Sequence, residues 1–140
     1  MKEVKAFHTT LLHSNEWVHA LQITNEYADA NKAFVLLRAT LKALRDRIPA
    51  NEAHHLGTQL PALIRGFYYE GWEPNKKPTK DKTQEDFLLS VLYHLGGHDD
   101  LDLEAAVPRV LNFIFQRIDP GEAEDVIHAL PKKIQELCVH

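Results

Sequence analysis

Residues that lie seventy positions apart in this chain match one another. Arg47-Ile48 recurs as Arg117-Ile118, and Leu60-Pro61 recurs as Leu130-Pro131. The offset stays constant without a gap, which chance similarity rarely achieves. We therefore predict a tandem duplication, two copies of one helical unit that together form a single body. The same offset relates Glu52-Ala53 to Glu122-Ala123, Glu16-Trp17-Val18 to Asp86-Phe87-Leu88, Leu41 to Leu111, Ile64 to Ile134, and Phe67 to Leu137.

The first copy begins with two amphipathic helices. Ser14 or Asn15 can cap a helix that runs to about Asn25. Asp29 or Asn31 then opens the longest helix, because apolar residues follow it at spacings of three and four. This apolar seam consists of Phe34, Leu37, Leu41, Leu44 and Ile48.

Prolines and a glycine divide the rest of the first copy. Pro49 ends the long helix, and a short helix over 51–56 is expected to stop at Gly57. Proline has no amide hydrogen and suits the first position of a helix, so Pro61 predicts a new helix that runs to about Tyr69. The second copy repeats the scheme, with helix starts at Thr83, at Asp99 or Asp100, at Asp119 with Pro120, and at Pro131, and with a kink or a delayed start at Pro108.

These elements predict an all-α helical bundle of two pseudo-repeats of about 70 residues, with three to four helices each. The single domain spans residues 1–140. Repeat one covers about 10–70, a Pro- and Lys-rich connector covers 71–82, and repeat two covers about 83–140. The expected core contains Trp17, Leu37, Leu41, Leu44, Leu60, Ile64 and their counterparts in the second copy.

Composition narrows the class of protein. Of the 140 residues, 44% are hydrophobic and 26% are charged, which is typical of a globular domain. The net charge of −4 and the lack of a recognised motif argue against nucleic-acid binding. Cys138 is the one cysteine, which suits a reducing cytoplasm, and we find neither a secretory signal nor an apolar run long enough to span a membrane.

Charge is unevenly distributed along the chain. Residues 32–47 carry five Lys and Arg side chains against one Asp, whereas residues 85–104 carry six acidic side chains and no Lys or Arg. These patches are complementary, so either could attract a partner protein or join two copies of the chain. A homodimer is therefore plausible from the sequence.

Long runs in the first copy resemble a known family. The stretches Ala43-Leu44-Arg45-Asp46-Arg47 and 56–72, LGTQLPALIRGFYYEGW, are similar to the signature of the bacterial family catalogued as domain of unknown function 2267. The similarity covers almost the whole chain, with Thr58 and Phe67 as minor departures. The resemblance implies a cytoplasmic helical protein, often encoded near general stress genes. It implies no catalytic residues, because no activity is established for the family.

Polar residues that differ between the copies are the candidate binding residues. On a helix that begins at Pro61, Arg65 and Tyr69 share a face, with Tyr68 and Trp72 beside them. An arginine among aromatic rings can hold an anionic or aromatic ligand. A packing role is the favoured interpretation, in which the Tyr and Trp rings cover the core between the copies while Arg65 pairs with Glu70 or Asp46. The candidate ligand- or partner-binding set is Arg45, Asp46, Arg65, Tyr68, Tyr69, Glu70 and Trp72.

Metal, cofactor and catalytic signals are weak. His94 and His98, with Asp99, Asp100 and Asp102 nearby, form the best metal candidate, but helix capping also explains the aspartates. No Glu-x-x-His pair recurs in both copies, as a di-iron bundle would need. We find no set of nucleophile, base and orienting residue, and no cofactor motif. The sequence therefore predicts no catalytic residue, metal or cofactor.

Two functions follow as hypotheses. The first is a non-enzymatic interaction or structural protein that acts through the arginine- and aromatic-rich surface of the first copy. The second is a small-ligand or anion binder, less plausibly an enzyme, with a pocket where residues 68–72 meet the second helix.

Overall fold

The protein, as a computed structural model, is helical throughout the residues that the structure describes, which are 1–76, 78–80, 82–98 and 100–138. Within them no strand occurs, and no helix is long and apolar enough to cross a bilayer. The predicted all-α bundle is confirmed. In chain order the elements are α1 (Lys5–Thr24), α2 (Ala30–Arg45), α3 (Ala50–Thr58), α4 (Ala62–Tyr69), α5 (Gln84–Leu95), α6 (Leu103–Arg117), α7 (Pro120–Ala129), α8 (Lys132–Gln135) and a 3-10 turn (Glu136–Cys138).

Helix α2 lies at the centre of the bundle and packs against α1, α4, α5 and α6. It begins where the sequence predicted, because the Asp29 carboxylate accepts a hydrogen bond from the Lys32 amide at 2.8 Å. Ala39 and Ala43 are buried on α2. Because their side chains are small, a neighbouring helix of the bundle can approach α2 closely at these positions. Arg109 and Phe113 occupy the matching positions of α6, so the two helices present different surfaces to their neighbours.

The predicted core is confirmed, since each expected residue and its counterpart seventy positions later is buried. Burial of matching positions means that both halves contribute equivalent faces to one interior. The buried residues are Trp17, Leu37, Leu41, Leu44, Leu60 and Ile64, together with Phe87, Val107, Leu111, Ile114, Leu130 and Ile134.

Two arginine contacts join the halves reciprocally. The guanidinium carbon of Arg47 lies 5.2 Å from the centre of the Phe87 ring, and that of Arg117 lies 5.4 Å from the Trp17 ring. Arg47 and Arg117 are seventy residues apart, as are Trp17 and Phe87. Each half therefore places its arginine on the aromatic residue of the other half. Two copies related by a rotation that exchanges them would make these contacts; the duplication itself remains a prediction.

Two helices begin elsewhere than predicted. Helix α1 starts at Lys5 rather than at Ser14 or Asn15, because residues 5–13 contain no Pro or Gly to interrupt it. Helix α6 starts after Asp102, whose carboxylate accepts from the Ala105 amide at 3.4 Å. Asp100 does not cap it, and the other candidate, Asp99, lies outside the described residues.

The predicted charge complementarity is partly satisfied within one chain. Asp100 Oδ2 lies 2.7 Å from Lys32 Nζ, so the acidic and basic segments meet at the start of α2. Both side chains are largely exposed, and such a pair adds little stability. Homodimerisation remains a prediction.

Gly57 does not end the third helix as predicted, since α3 continues to Thr58. It is buried beneath two tyrosine rings, and a β-carbon there would lie 2.7 Å from Tyr69 Cζ and 3.2 Å from Tyr68 Cε2. The glycine therefore serves close packing rather than termination. Pro61 and Pro131 each stand one residue before their helices, and α6 passes through Pro108 without a delayed start.

Candidate functional site

Arg65, a predicted binding residue, holds the end of α3. Its Nε donates to the Gly57 carbonyl at 2.8 Å, and its Nη2 donates to the Leu60 carbonyl at 2.9 Å. A helix leaves its last carbonyls without intrahelical partners, and a cationic side chain there satisfies them. The guanidinium of Arg65 thus binds the backbone of its own chain.

Arg45 likewise binds the backbone carbonyls at the end of α4, which lie 23 and 25 residues after it in the sequence. Only 4% of its surface is exposed, and one nitrogen, Nη1, donates to the carbonyls of Tyr68 at 2.7 Å and Glu70 at 2.8 Å. Its Nε donates to Asp46 Oδ1 at 3.0 Å. A buried guanidinium is stable only when its donors find acceptors, and these three oxygens accept from Nε and Nη1. Arg45 therefore fixes the path of the chain after α4.

The predicted aromatic residues divide between interior and surface. Tyr68 is buried, and its hydroxyl donates to the Ala53 carbonyl at 2.7 Å. Burial raises the pKa of this phenol well above its ordinary value. Tyr69 is half-buried, and its ring stacks on Trp72 with 5.2 Å between centroids. Tyr68 is thus a packing residue, whereas Trp72 remains partly exposed after α4.

Asp46 links the end of α2 to α5. Its Oδ2 lies 3.1 Å from His94 Nε2, while Oδ1 accepts from Arg45. Burial by itself would raise the pKa of Asp46, but the hydrogen bonds from His94 and Arg45 outweigh it and hold the pKa below its ordinary value. The carboxylate is therefore ionised at neutral pH and connects the two halves.

An open cleft of about 740 Å³ lies between the end of α2, the segment 70–79 and α5. We call it the connector cleft. The Asp46 carbonyl accepts from the Thr79 amide at 3.0 Å, which ties the far end of the segment to α2. The cleft partly overlaps the predicted position, which was the contact of residues 68–72 with the second helix. Its lining includes Arg45, Asp46, Glu70 and Trp72 from the predicted set, but not Arg65, Tyr68 or Tyr69.

Helix α5 supplies a wall of the cleft that the sequence analysis missed. Leu89 and Tyr93 line it, and they are 54% and 80% exposed. Leu92, also exposed, lies on the same side of the helix one turn after Leu89. A signal was present, because residues 87–93 contain six apolar side chains, more than one buried stripe can use. The excess predicts an apolar surface on α5.

Charges of both signs surround these apolar residues. Lys42 Nζ lies 3.6 Å from Glu70 Oε1, and Lys76 Nζ lies 3.1 Å from Glu73 Oε2. Ser90 and His94 are one turn apart in the lining, but no hydrogen bond joins them among the described residues. The cleft therefore offers apolar contacts with paired charges at its edge.

The loop after α5 does not assemble the predicted metal candidate. His94 bonds to Asp46, Asp100 pairs with Lys32, and Asp102 caps α6. Asp99 lies outside the described residues. His94, Asp100 and Asp102 thus each contact a different partner.

The chain belongs to a known but uncharacterised family. The sequence profile of the family described as "uncharacterized conserved protein (DUF2267)" matches residues 14–137, which is nearly the whole chain. Comparison with curated proteins gives no match. This is the family whose signature the arginine- and tyrosine-containing runs resemble. Its description names no activity.

Proposed function

We propose that this member of the family is a non-enzymatic, cytoplasmic protein-interaction module that holds a segment of a partner protein in the connector cleft. The observation that carries the proposal is the exposed pair Leu89 and Tyr93, which line the cleft together with Trp72. Apolar side chains grouped at an open cleft are typical of surfaces that another molecule covers. An aromatic or aliphatic side chain of the partner would fit between these residues.

The charges of the cleft favour a polypeptide over a small anion. Arg45 already donates to two carbonyls from Nη1 and to Asp46 from Nε, so fewer of its donors remain for a phosphate or carboxylate. Two acidic groups of the lining, Glu70 and Glu73, are paired with Lys42 and Lys76. A polypeptide segment can exchange such pairs for its own charged groups while its apolar side chain becomes buried.

Affinity purification of the tagged protein from its native cells tests this function. The variant Leu89→Ser with Tyr93→Ser removes the apolar wall, and its melting temperature should stay close to that of wild type because both side chains are exposed. Ile23→Ser is the control, since Ile23 is 74% exposed and does not line the cleft. Proteins recovered with wild type and Ile23→Ser but lost with the double variant support the proposal. Identical recovery with all three would refute it.

A small-ligand binder is the second candidate, and the cleft volume favours it. Ligand pockets commonly enclose about 300–1,000 Å³, a range that includes the connector cleft. Native mass spectrometry of freshly purified protein, with a melting screen against anions and nucleotides, separates the candidates. A bound mass or a melting shift that Trp72→Ala abolishes would favour this alternative, and the absence of both would eliminate it.

A further inference from the structure

A cluster of three possible metal ligands lies away from the connector cleft, where α3 packs against α7. Glu52 is the third residue of α3 and Glu122 is the third residue of α7, so they are equivalent positions of the repeat. The small buried residues Ala53 and Ala123 follow them and allow the helices to approach closely. The two carboxylates are therefore brought face to face.

Glu52 and Glu122 each have one carboxylate oxygen that is buried. The Oε2 atoms of Glu52 and Glu122 are both buried, and neither has a hydrogen-bond partner among the described residues. Only 18% of the Glu52 side chain is exposed. Buried polar atoms are normally satisfied, so these two adjacent oxygens need either a proton shared between them or a bound cation.

His55 supplies a third donor of a different kind. It follows Glu52 by one helical turn, and its Nδ1 lies 3.7 Å from Glu52 Oε2. One ligand atom from each of His55, Glu52 and Glu122 lies within 4.8 Å of the other two. Two ligands of a tetrahedral zinc ion are about 3.4 Å apart, so small side-chain rotations would bring all three into range.

We propose that Glu52, His55 and Glu122 form a site for a single divalent transition-metal ion such as Zn²⁺ or Co²⁺. One imidazole nitrogen and two carboxylate oxygens form a ligand set that suits these ions. The imidazole of His55 is exposed, so water can complete the coordination from the solvent side. The ion would join α3 to α7 and so tie the two halves of the chain together.

Glu52 and Glu122 also interact electrostatically. Burial, followed by the hydrogen bond and the charge of the nearby Glu52 carboxylate, raises the pKa of Glu122 to about 7.

Titration of chelator-treated protein with Zn²⁺ and with Co²⁺ tests the site. Calorimetry should give one ion per chain, Co²⁺ should acquire the visible absorption of a protein-bound ion, and the melting temperature should rise. The variants Glu122→Gln and His55→Ala should each weaken binding by at least about tenfold, since each removes a direct ligand. His54→Ala is the matched control, because His54 is an exposed neighbour outside the cluster.

The pattern across the variants decides the outcome. Strong binding by wild type and His54→Ala, with loss in Glu122→Gln and His55→Ala, supports the site. Glu122→Gln should melt no lower than wild type in chelator, so its loss of binding would not reflect misfolding. Absence of binding, equal binding by all four proteins, or any other pattern among the variants would overturn the proposal.

Discussion

Replacing Arg45 with methionine should destabilise the protein severely, because the side chain is a buried cap for α4. The substitution leaves the carbonyls of Tyr68 and Glu70 without their donor. A buried polar group without a partner costs about 1–3 kcal/mol, and the Glu70 carbonyl can recover some hydration. We therefore expect a loss of about 3 kcal/mol in the free energy of unfolding.

The loss can be expressed as a melting temperature. Unfolding entropy near the midpoint is about 2.1 cal/mol/K per residue, or about 0.3 kcal/mol/K for 140 residues. Arg45→Met should therefore melt about 10 °C below wild type. Urea denaturation monitored by circular dichroism should show the lower midpoint with an unchanged m-value.

Arg38→Met is the control for this prediction. Arg38 also lies on α2, but its guanidinium carbon lies 5.2 Å from the Phe34 ring and the side chain is half-exposed. Loss of that contact should cost about 0.5–1 kcal/mol. If Arg45→Met were no less stable than Arg38→Met, the capping role assigned to Arg45 would be wrong.

Three further predictions test other parts of the structure. Tyr68→Phe removes a buried hydrogen bond and should cost about 1–2 kcal/mol in urea denaturation, whereas Tyr93→Phe at the surface should change stability by under about 0.5 kcal/mol. Because the pKa of Glu122 is raised in the folded protein, its contribution to stability is present below pH 4.5 and is lost as the pH rises through about 7. The melting temperature of metal-free Glu122→Gln minus that of metal-free wild type should therefore increase between pH 5 and pH 8. A difference that stays constant over this range would contradict the prediction. Asp102→Ala removes the N-cap of α6 and should lower the free energy of unfolding by about 1 kcal/mol, as measured by thermal melting. A larger loss in Asp100→Ala would show that Asp102 is not the cap.

The sequence predicted those features of the fold that depend on local chemistry. The caps at Asp29, Thr83 and Asp119 are where short polar side chains precede apolar periodicity. The apolar seam of α2 specified its buried face, and the seventy-residue offset identified matching core positions. The start of α1 was missed because helix-forming residues precede Ser14 without an interruption.

The remaining features depend on which elements meet in space. Nothing near Arg45 in the sequence shows that its acceptors lie 23 and 25 residues away, at the end of α4 and just after it. The repeat makes Glu52 and Glu122 equivalent, but it does not reveal that equivalent residues face each other. The sequence predicted a pocket where residues 68–72 meet the second helix. The connector cleft includes Glu70 and Trp72 of that segment but not Tyr68 or Tyr69, and its α5 wall required knowledge of the α2–α5 packing.

Site-specific photo-cross-linking in the native cell tests most directly whether the connector cleft binds a partner protein. A photoreactive phenylalanine analogue at position 93 would lie in the cleft wall, and the same analogue at position 23 would be equally exposed outside it. We predict a light-dependent adduct with another protein from position 93 and none from position 23. No adduct at position 93, or equal adducts at both positions, would contradict the proposed function.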